Sequence, residues 1–280
     1  MNTKIIVCCH KADVVYGKSP YFPIHVGKEN AKINLDMAGD NTGDHISNRN
    51  GSFCEVTGIY WAWKNMKDVD VIGLCHYRRY FDFHKQTRSY LPSTIFKTEQ
   101  LPKMDFSVPD DVQEQVQRGS VVVAKRTNYP ISNYLEYCRC HISDDLRVLD
   151  QVIHDTQEGK YQTAYYHIMH STHKLIHYNM FLMRWKDFDD YCNWLFPILF
   201  EVEKRTDISH YSVSQKRIYG YMAERLFNVW LYGNKKRLIH LPVMMFDDKA
   251  NNPRFSFELV KRTFLNNLSF KILVPNANEF

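Results

Sequence analysis

The sequence predicts an α/β protein, with a mixed, mostly parallel sheet flanked by helices and a helical C-terminal part. Two observations carry the fold and a third places a site on it. Short apolar runs of strand length, "KIIVCC", "VIGLC" and "SVVVA", recur along the chain. They alternate with amphipathic stretches, the pattern of a sheet covered on both faces. Three of these runs end at once in basic residues: His10-Lys11, His76 to Arg79, and Lys125-Arg126. Ligands of such sheets sit beyond the carboxyl ends of the strands, so one edge would present cations to an anionic ligand, most simply a phosphate or diphosphate.

Taken in order, residues 4–9 form a first buried strand, followed by a loop-rich segment through "GDNTGDHISNRNGS". Ser52 and Glu55 have the spacing of a capping box, so a helix is expected from about residue 53. The strand at 71–75 follows, then an irregular insertion over 82–110 that contains Pro92, Pro102 and Pro109. "DDVQEQVQRG" reads as a short helix, "SVVVAKR" as a buried strand, and two more helices are expected near 130–140 and 144–157. After a histidine-rich stretch, "YNMFLM" at 178–183 is apolar. From Trp185 onward, Phe188, Cys192, Leu195, Phe196, Leu199 and Val202 recur at helical steps. A further helix is expected from about Ser214 to Tyr232, with Ile218, Met222, Leu226 and Val229 on one side. "RLIHLPVMMF" reads as a late strand. The last 30 or so residues read as a peripheral strap.

The 280 residues suffice for one large domain with a substantial core. We divide them into one domain over 1–250, with a nucleotide half to about 126 and an acceptor half from 127, and a peripheral segment over 251–280. The net charge of +5, from 36 basic and 31 acidic residues, favours anionic ligands or an anionic lipid surface. The cations are too few and too scattered for a nucleic-acid stripe, so no nucleic acid is expected. Lys235-Lys236-Arg237 and Lys261-Arg262 are solvated faces or points of peripheral membrane contact. Met-Asn-Thr-Lys leads directly into a strand, no run approaches the ~20 apolar residues of a membrane span, and the seven cysteines are odd in number. A cytoplasmic chain with free thiols, at most peripheral to the inner membrane, is the expectation.

Several chemistries are excluded by their missing signatures. There is no G-x-x-x-x-G-K-[ST], no G-x-G-x-x-G and no G-x-S-x-G. His167, His170, His173 and His177 would share a helical face but lack the Glu of H-E-x-x-H, and "CRCH" at 138–141 has no second ligand pair, so no metal site is assigned. Arg78 and Arg79 are adjacent, so on a continuous strand they point to opposite faces and at most one enters a given pocket. A guanidinium contact to diphosphate is charge-assisted and worth about 1.5–3 kcal/mol. The polar turn with Asp40, Asn41, Thr42, Asp44 and Ser47 either makes Asx turns or meets a ribose or base. The capping box accounts for Glu55.

Six stretches together, "IIVCCHK", "GDNTGDHIS", "FCEVTGIYWAWKN", "GLCHYRRYF", "YNMFLMRWKDFDDYCNWLFPIL" and "QKRIYGYMAERL", resemble a family of bacterial capsule and exopolysaccharide glycosyltransferases. That family is catalogued as a domain of unknown function, and some members are assigned as galactofuranosyltransferases. The resemblance spans roughly residues 4–245. It implies a GT-A-like, Rossmann-type fold and transfer of a sugar from a UDP-linked donor to a growing glycan or lipid-linked oligosaccharide acceptor, with inversion expected. "CHYRRY" stands where most enzymes of that fold carry a metal-binding Asp-x-Asp, so side-chain cations would replace Mn²⁺ or Mg²⁺ against the diphosphate. The donor side would then comprise His10, Lys11, Asp40, Asn41, Thr42, Asp44, His76, Tyr77, Arg78, Arg79 and Arg217. Asp40, Asp44 and Glu224 are the candidate bases, and Tyr178 and Asn179 would touch the acceptor. The alternative is a non-catalytic carbohydrate- or nucleic-acid-binding protein, which would bind glycans or polyanions without releasing UDP.

Overall fold

The first and second apolar runs of the sequence lie side by side. In the computed structural model, which describes residues 1–87, 91–248 and 253–273, β1 (Thr3–Cys9) pairs in parallel with β2 (Tyr21–His25) and β4 (Val71–His76). β3 (Ala38–Gly39) extends the row beyond β2. All six residues of β4 are buried, as a central strand covered on both faces requires. β5 (Arg79–Phe81) turns back from the end of β4, with Arg79 opposite His76. β6 (Ser93–Phe96) lies further out.

β7 (Val121–Ala124) is the third cation-tipped strand. A short ribbon, β8 (Thr127–Asn128) with β9 (Lys174–Leu175), stands apart from the main sheet. β10 (Phe181–Arg184) is wedged antiparallel between β4 and β7. β11 (Leu238–Leu241) runs parallel to β7, and β12 (Val243–Phe246) pairs with β5 and β6. The main order is β11-β7-β10-β4-β1-β2-β3. Because β10 opposes both its neighbours, β7 is parallel to β4 and β1. Their carboxyl ends therefore share one edge with the amino end of β10, which brings residues 178–179 to the same place as His10 and His76.

Helices α1 (Asn50–Phe53), α2 (Val56–Asn65), α3 (Asp110–Gln117), α4 (Asn133–Cys140), α5 (Ser143–Thr156) and α6 (Lys160–Tyr166) precede two long ones, α7 (Trp185–Arg205) and α8 (Ile218–Gly233). α9 (Pro253–Leu273) closes the described chain. The predicted apolar faces of α7 and α8 are buried, Leu195, Leu199, Met222, Leu226 and Val229 completely. Each such side chain contributes about 1.5–3 kcal/mol over an exposed one.

Four expectations are corrected. The capping box does not form: Ser52 Oγ donates to the Arg49 carbonyl at 3.2 Å, and the helix breaks at Cys54, whose φ is 53°. β2 lies within the segment read as loop; Pro23 lies opposite Val7 in the parallel pair, where the strand tolerates its missing N–H. The late strand is divided at Pro242 into β11 and β12. The C-terminal strap is helical over most of its length.

Candidate active site

A cavity of about 790 Å³ opens at the shared strand edge. Its floor comes from His10 after β1, His76 to Arg79 at the β4–β5 turn, and Tyr178-Asn179 before β10. Its walls come from α1, α4 and α8. Gly220 lets α8 approach α1 closely, since a Cβ there would sit 3.2 Å from Cys54.

The two adjacent arginines have different surroundings. Arg78 is held by Asp13 at 2.7 Å through Nε and Nη2, and Asp247 lies 3.7 Å from its Nη1. Arg79 stands 5.0 Å over the ring of Tyr178, and its buried Nε has no hydrogen-bond partner. No carboxylate among the described residues pairs with it. Arg217, in the turn before α8, donates to Cys54 Sγ at 3.2 Å and lies over Tyr221 at 5.4 Å, again without a carboxylate partner. Among the described residues neither guanidinium is in a salt bridge; Arg217 is exposed, whereas Arg79 is half-buried with its Nε unpartnered, a polar group that an anion in the cavity could satisfy.

His76 is buried and its Nε2 donates to the Tyr178 carbonyl at 2.7 Å. Burial lowers its pKa, which keeps the ring neutral. His10 meets Tyr77 edge-on at 5.2 Å. His10 is exposed as a residue, yet desolvation, helped by Lys11, Arg217, His76 and Arg78, lowers its pKa to about 4.

Tyr178 and Asn179 both have positive φ, 80° and 52°. Such backbone persists only where its surroundings over-determine it, and here they do. Glu224 Oε1 accepts from the Tyr178 N–H at 2.5 Å, and Asn179 Nδ2 donates to Glu55 Oε1 at 2.8 Å and to the Gly220 carbonyl at 3.2 Å. Asn179 Oδ1 is buried with no donor.

Glu224 is one link of a buried chain. Its Oε2 accepts from Arg225 at 2.7 Å and lies 3.2 Å from His177 Nδ1; Arg225 also reaches Glu136 at 2.7 Å, and His177 Nε2 meets the Tyr129 hydroxyl at 2.8 Å. Burial alone would raise the Glu224 pKa, but His177, Arg225 and the Tyr178 N–H outweigh it and bring the pKa down to about 2. This carboxylate is committed to structure.

The "GDNTGD" turn lies away from the cavity. Asp40 is fully buried, and its two oxygens accept from the Gly27 and Lys28 N–H groups and from the Thr57 and Ser47 hydroxyls. Asn41 donates to Glu29, Thr42 accepts from Trp61, and Asp44 is exposed and accepts from the Tyr60 hydroxyl. The turn therefore braces the β2–β3 region against α2 through Asx-type chemistry. Lys11 is exposed and is not part of the cavity wall, and Arg126 lines a different cavity.

Glu55, Glu136, His177 and Arg225 line the cavity although the sequence reading gave them no role there. Glu55 was assigned to a cap, whereas the break at Cys54 frees it to face the cavity. The charged pair Glu224-Arg225 inside an otherwise apolar helix was the legible signal of the buried chain. Of the histidine run, His167 stacks on Tyr232 and His170 on Tyr134, so these rings are packed against aromatics.

Among the described residues no three His, Cys, Asp or Glu side chains converge on a point. Around the cavity Asp13 and Asp247 face Arg78, and Glu136 and Glu224 face Arg225. Glu55 is the lining carboxylate that is in no salt bridge among the described residues, although Arg217 is near enough to feel its charge.

The apo structure of the bifunctional glycosyltransferase WbbM is similar to this chain, with a TM-score of 0.80 and 27% identity. The likeness covers 88% of this chain and 46% of the WbbM chain, so this chain spans less than half the length of that protein. No curated protein matches. The model of a domain of unknown function, DUF4422, matches residues 4–236, and the chain belongs to that family.

Proposed function

We propose that the chain is a glycosyltransferase that binds a nucleotide-diphosphate sugar, with UDP-galactofuranose the first donor to test. Its acceptor is a growing capsular or exopolysaccharide chain or a lipid-linked oligosaccharide. The carrying observation is that Arg79 and Arg217, neither held in a salt bridge among the described residues, line one cavity at the carboxyl edge of the sheet. The likeness to a bifunctional glycosyltransferase supports the reaction class; the donor and acceptor classes rest on the sequence resemblance.

In this reading an acceptor hydroxyl attacks the anomeric carbon, and the bond from that carbon to the diphosphate oxygen breaks. Negative charge grows on the departing UDP, where Arg79 and Arg217 stabilise it more than they stabilise the bound donor. The proton leaves the acceptor hydroxyl for Glu55, the lining carboxylate that is in no salt bridge. His76 is a positioning residue that holds the Tyr178 carbonyl and so the Asn179 side chain, which in turn holds Glu55. The fixed cations serve where relatives of the fold use a metal, so no divalent ion is required.

The test is a donor screen monitoring UDP release with a synthetic lipid-linked acceptor, with and without EDTA. Release from UDP-galactofuranose that EDTA leaves unchanged supports the reading. Absence of release from any nucleotide sugar, together with no change in melting temperature on adding UDP, overturns it.

A further inference from the structure

α9 is unusual for a helix on the surface of a water-soluble protein, because several apolar side chains stay exposed along it. A surface helix ordinarily buries its apolar stripe and shows its polar side to solvent. α9 instead turns Asn267 inward, where it accepts from Asn128 of β8 at 2.9 Å, and Phe270 sits 5.6 Å from the ammonium of Lys174 on β9. Its outward side carries Phe257, Val260, Phe264, Leu268 and Ile272, spaced three or four residues apart and 45–66% exposed. At helical spacing these five form one continuous stripe, and Lys261 and Lys271 stand on that same side. Contiguous apolar surface of this kind marks an interaction site.

We propose that α9 docks on an anionic lipid bilayer, lying in the interface with its apolar stripe below the headgroups. Charge selects this occupant. Residues 253–273 contain four basic residues and one acid, Glu258, which is already 3.8 Å from Lys261. Lysines whose stems run along apolar side chains extend their ammonium groups to lipid phosphates at little cost, whereas a protein groove would have to bury them. The helix lies on the membrane instead of crossing it: none of the described helices is long and apolar enough to span one.

The position of α9 gives the contact a consequence. Asn128, which it holds, is followed by Tyr129, whose hydroxyl meets His177 in the cavity wall, and Arg262 is near enough to act on that hydroxyl. A bilayer under α9 would therefore lie beside the cavity, where a lipid-borne acceptor has a short path in. This last step rests on the glycosyltransferase reading; the bilayer contact does not.

The test is flotation of the full chain with vesicles of phosphatidylcholine alone and of phosphatidylcholine mixed with phosphatidylglycerol. The wild type floats with the mixed vesicles and is released by salt, and Phe264→Glu with Leu268→Glu abolishes flotation. Lys261→Gln and Lys271→Gln each weaken partition by about fivefold. Both sets of positions are solvent-facing, so circular dichroism and the UDP-dependent melting shift stay as in wild type. No flotation with mixed vesicles, or flotation that survives the double substitution, overturns the proposal. So does a dimer by light scattering that the double substitution splits, which would make the stripe an interface between copies. UDP release is assayed separately without vesicles, so failure of the enzyme reading and failure of the bilayer contact are told apart.

Discussion

Asn179 donates a 2.8 Å hydrogen bond to Glu55 across 124 positions of sequence, joining the residue before β10 to the residue before α2. The bond orients one Glu55 oxygen, and Glu55 lines the cavity. Glu55→Gln keeps an oxygen that can accept from Asn179 but cannot take a proton. It is expected to lower turnover by about 10²–10⁴-fold while leaving UDP affinity as in wild type. Rates of UDP release and calorimetric titration with UDP check this. Wild-type turnover in Glu55→Gln would remove Glu55 from the chemistry.

Arg79→Ala is expected to weaken UDP binding by about tenfold to a hundredfold, the loss of one charge-assisted contact of about 1.5–3 kcal/mol. Arg78→Ala should do much less to UDP, because Asp13 and Asp247 already occupy that guanidinium. Its cost is the loss of a part-exposed pair, about 1 kcal/mol at most. Titration of both variants with UDP decides it, and equal losses would count against the assignment.

What the sequence made legible was whatever depends on the period and ends of apolar runs. β4 and its cationic tip, the buried faces of α7 and α8, and the shared edge all follow from that pattern. The division of labour between Arg78 and Arg79 does not, because it depends on Asp13 and Asp247, which tertiary structure brings to Arg78. The roles of Asp40 and Glu55 were exchanged for a related reason. A buried Asp with four donors and an exposed turn Asp read alike in "GDNTGD", and a capping spacing does not reveal that Cys54 interrupts the helix. α9 escaped because no run of turn residues or periodic core face announces a helix that keeps several apolar side chains exposed.

Asp40→Ala is expected to destabilise the fold without touching the cavity. It strands four donors in a fully buried site, at a cost of about 3 kcal/mol, or a melting temperature lower by roughly 6–12 °C. Asp44→Ala, at an exposed position, should stay within about 0.5 kcal/mol. Thermal denaturation of the two variants distinguishes a structural Asp40 from a catalytic one. An Asp40→Ala protein that melts like wild type yet has lost turnover would restore Asp40 as the base.

Acid should unfold the protein in two windows, the first set by desolvated histidines and the second by Glu224. Burial lowers the pKa of His76 and brings that of His10 from 6.5 to about 4, so the unfolded state binds protons that the folded state refuses, and stability declines as pH falls below 6.5. Glu224 is depressed from 4.5 to about 2, so its contribution is complete above 4.5 and is lost as pH falls toward 2. That contribution is on the order of 3 kcal/mol. Denaturant titrations across this range should show a shallow decline below pH 6.5 and a steeper one below 4.5. Glu224→Gln, less stable at neutral pH because Arg225 and His177 lose their anion, should lose much of the steeper segment. If instead the variant follows the wild-type slope below pH 4.5, the acid sensitivity belongs to other carboxylates and the buried Glu224 chain is not its source.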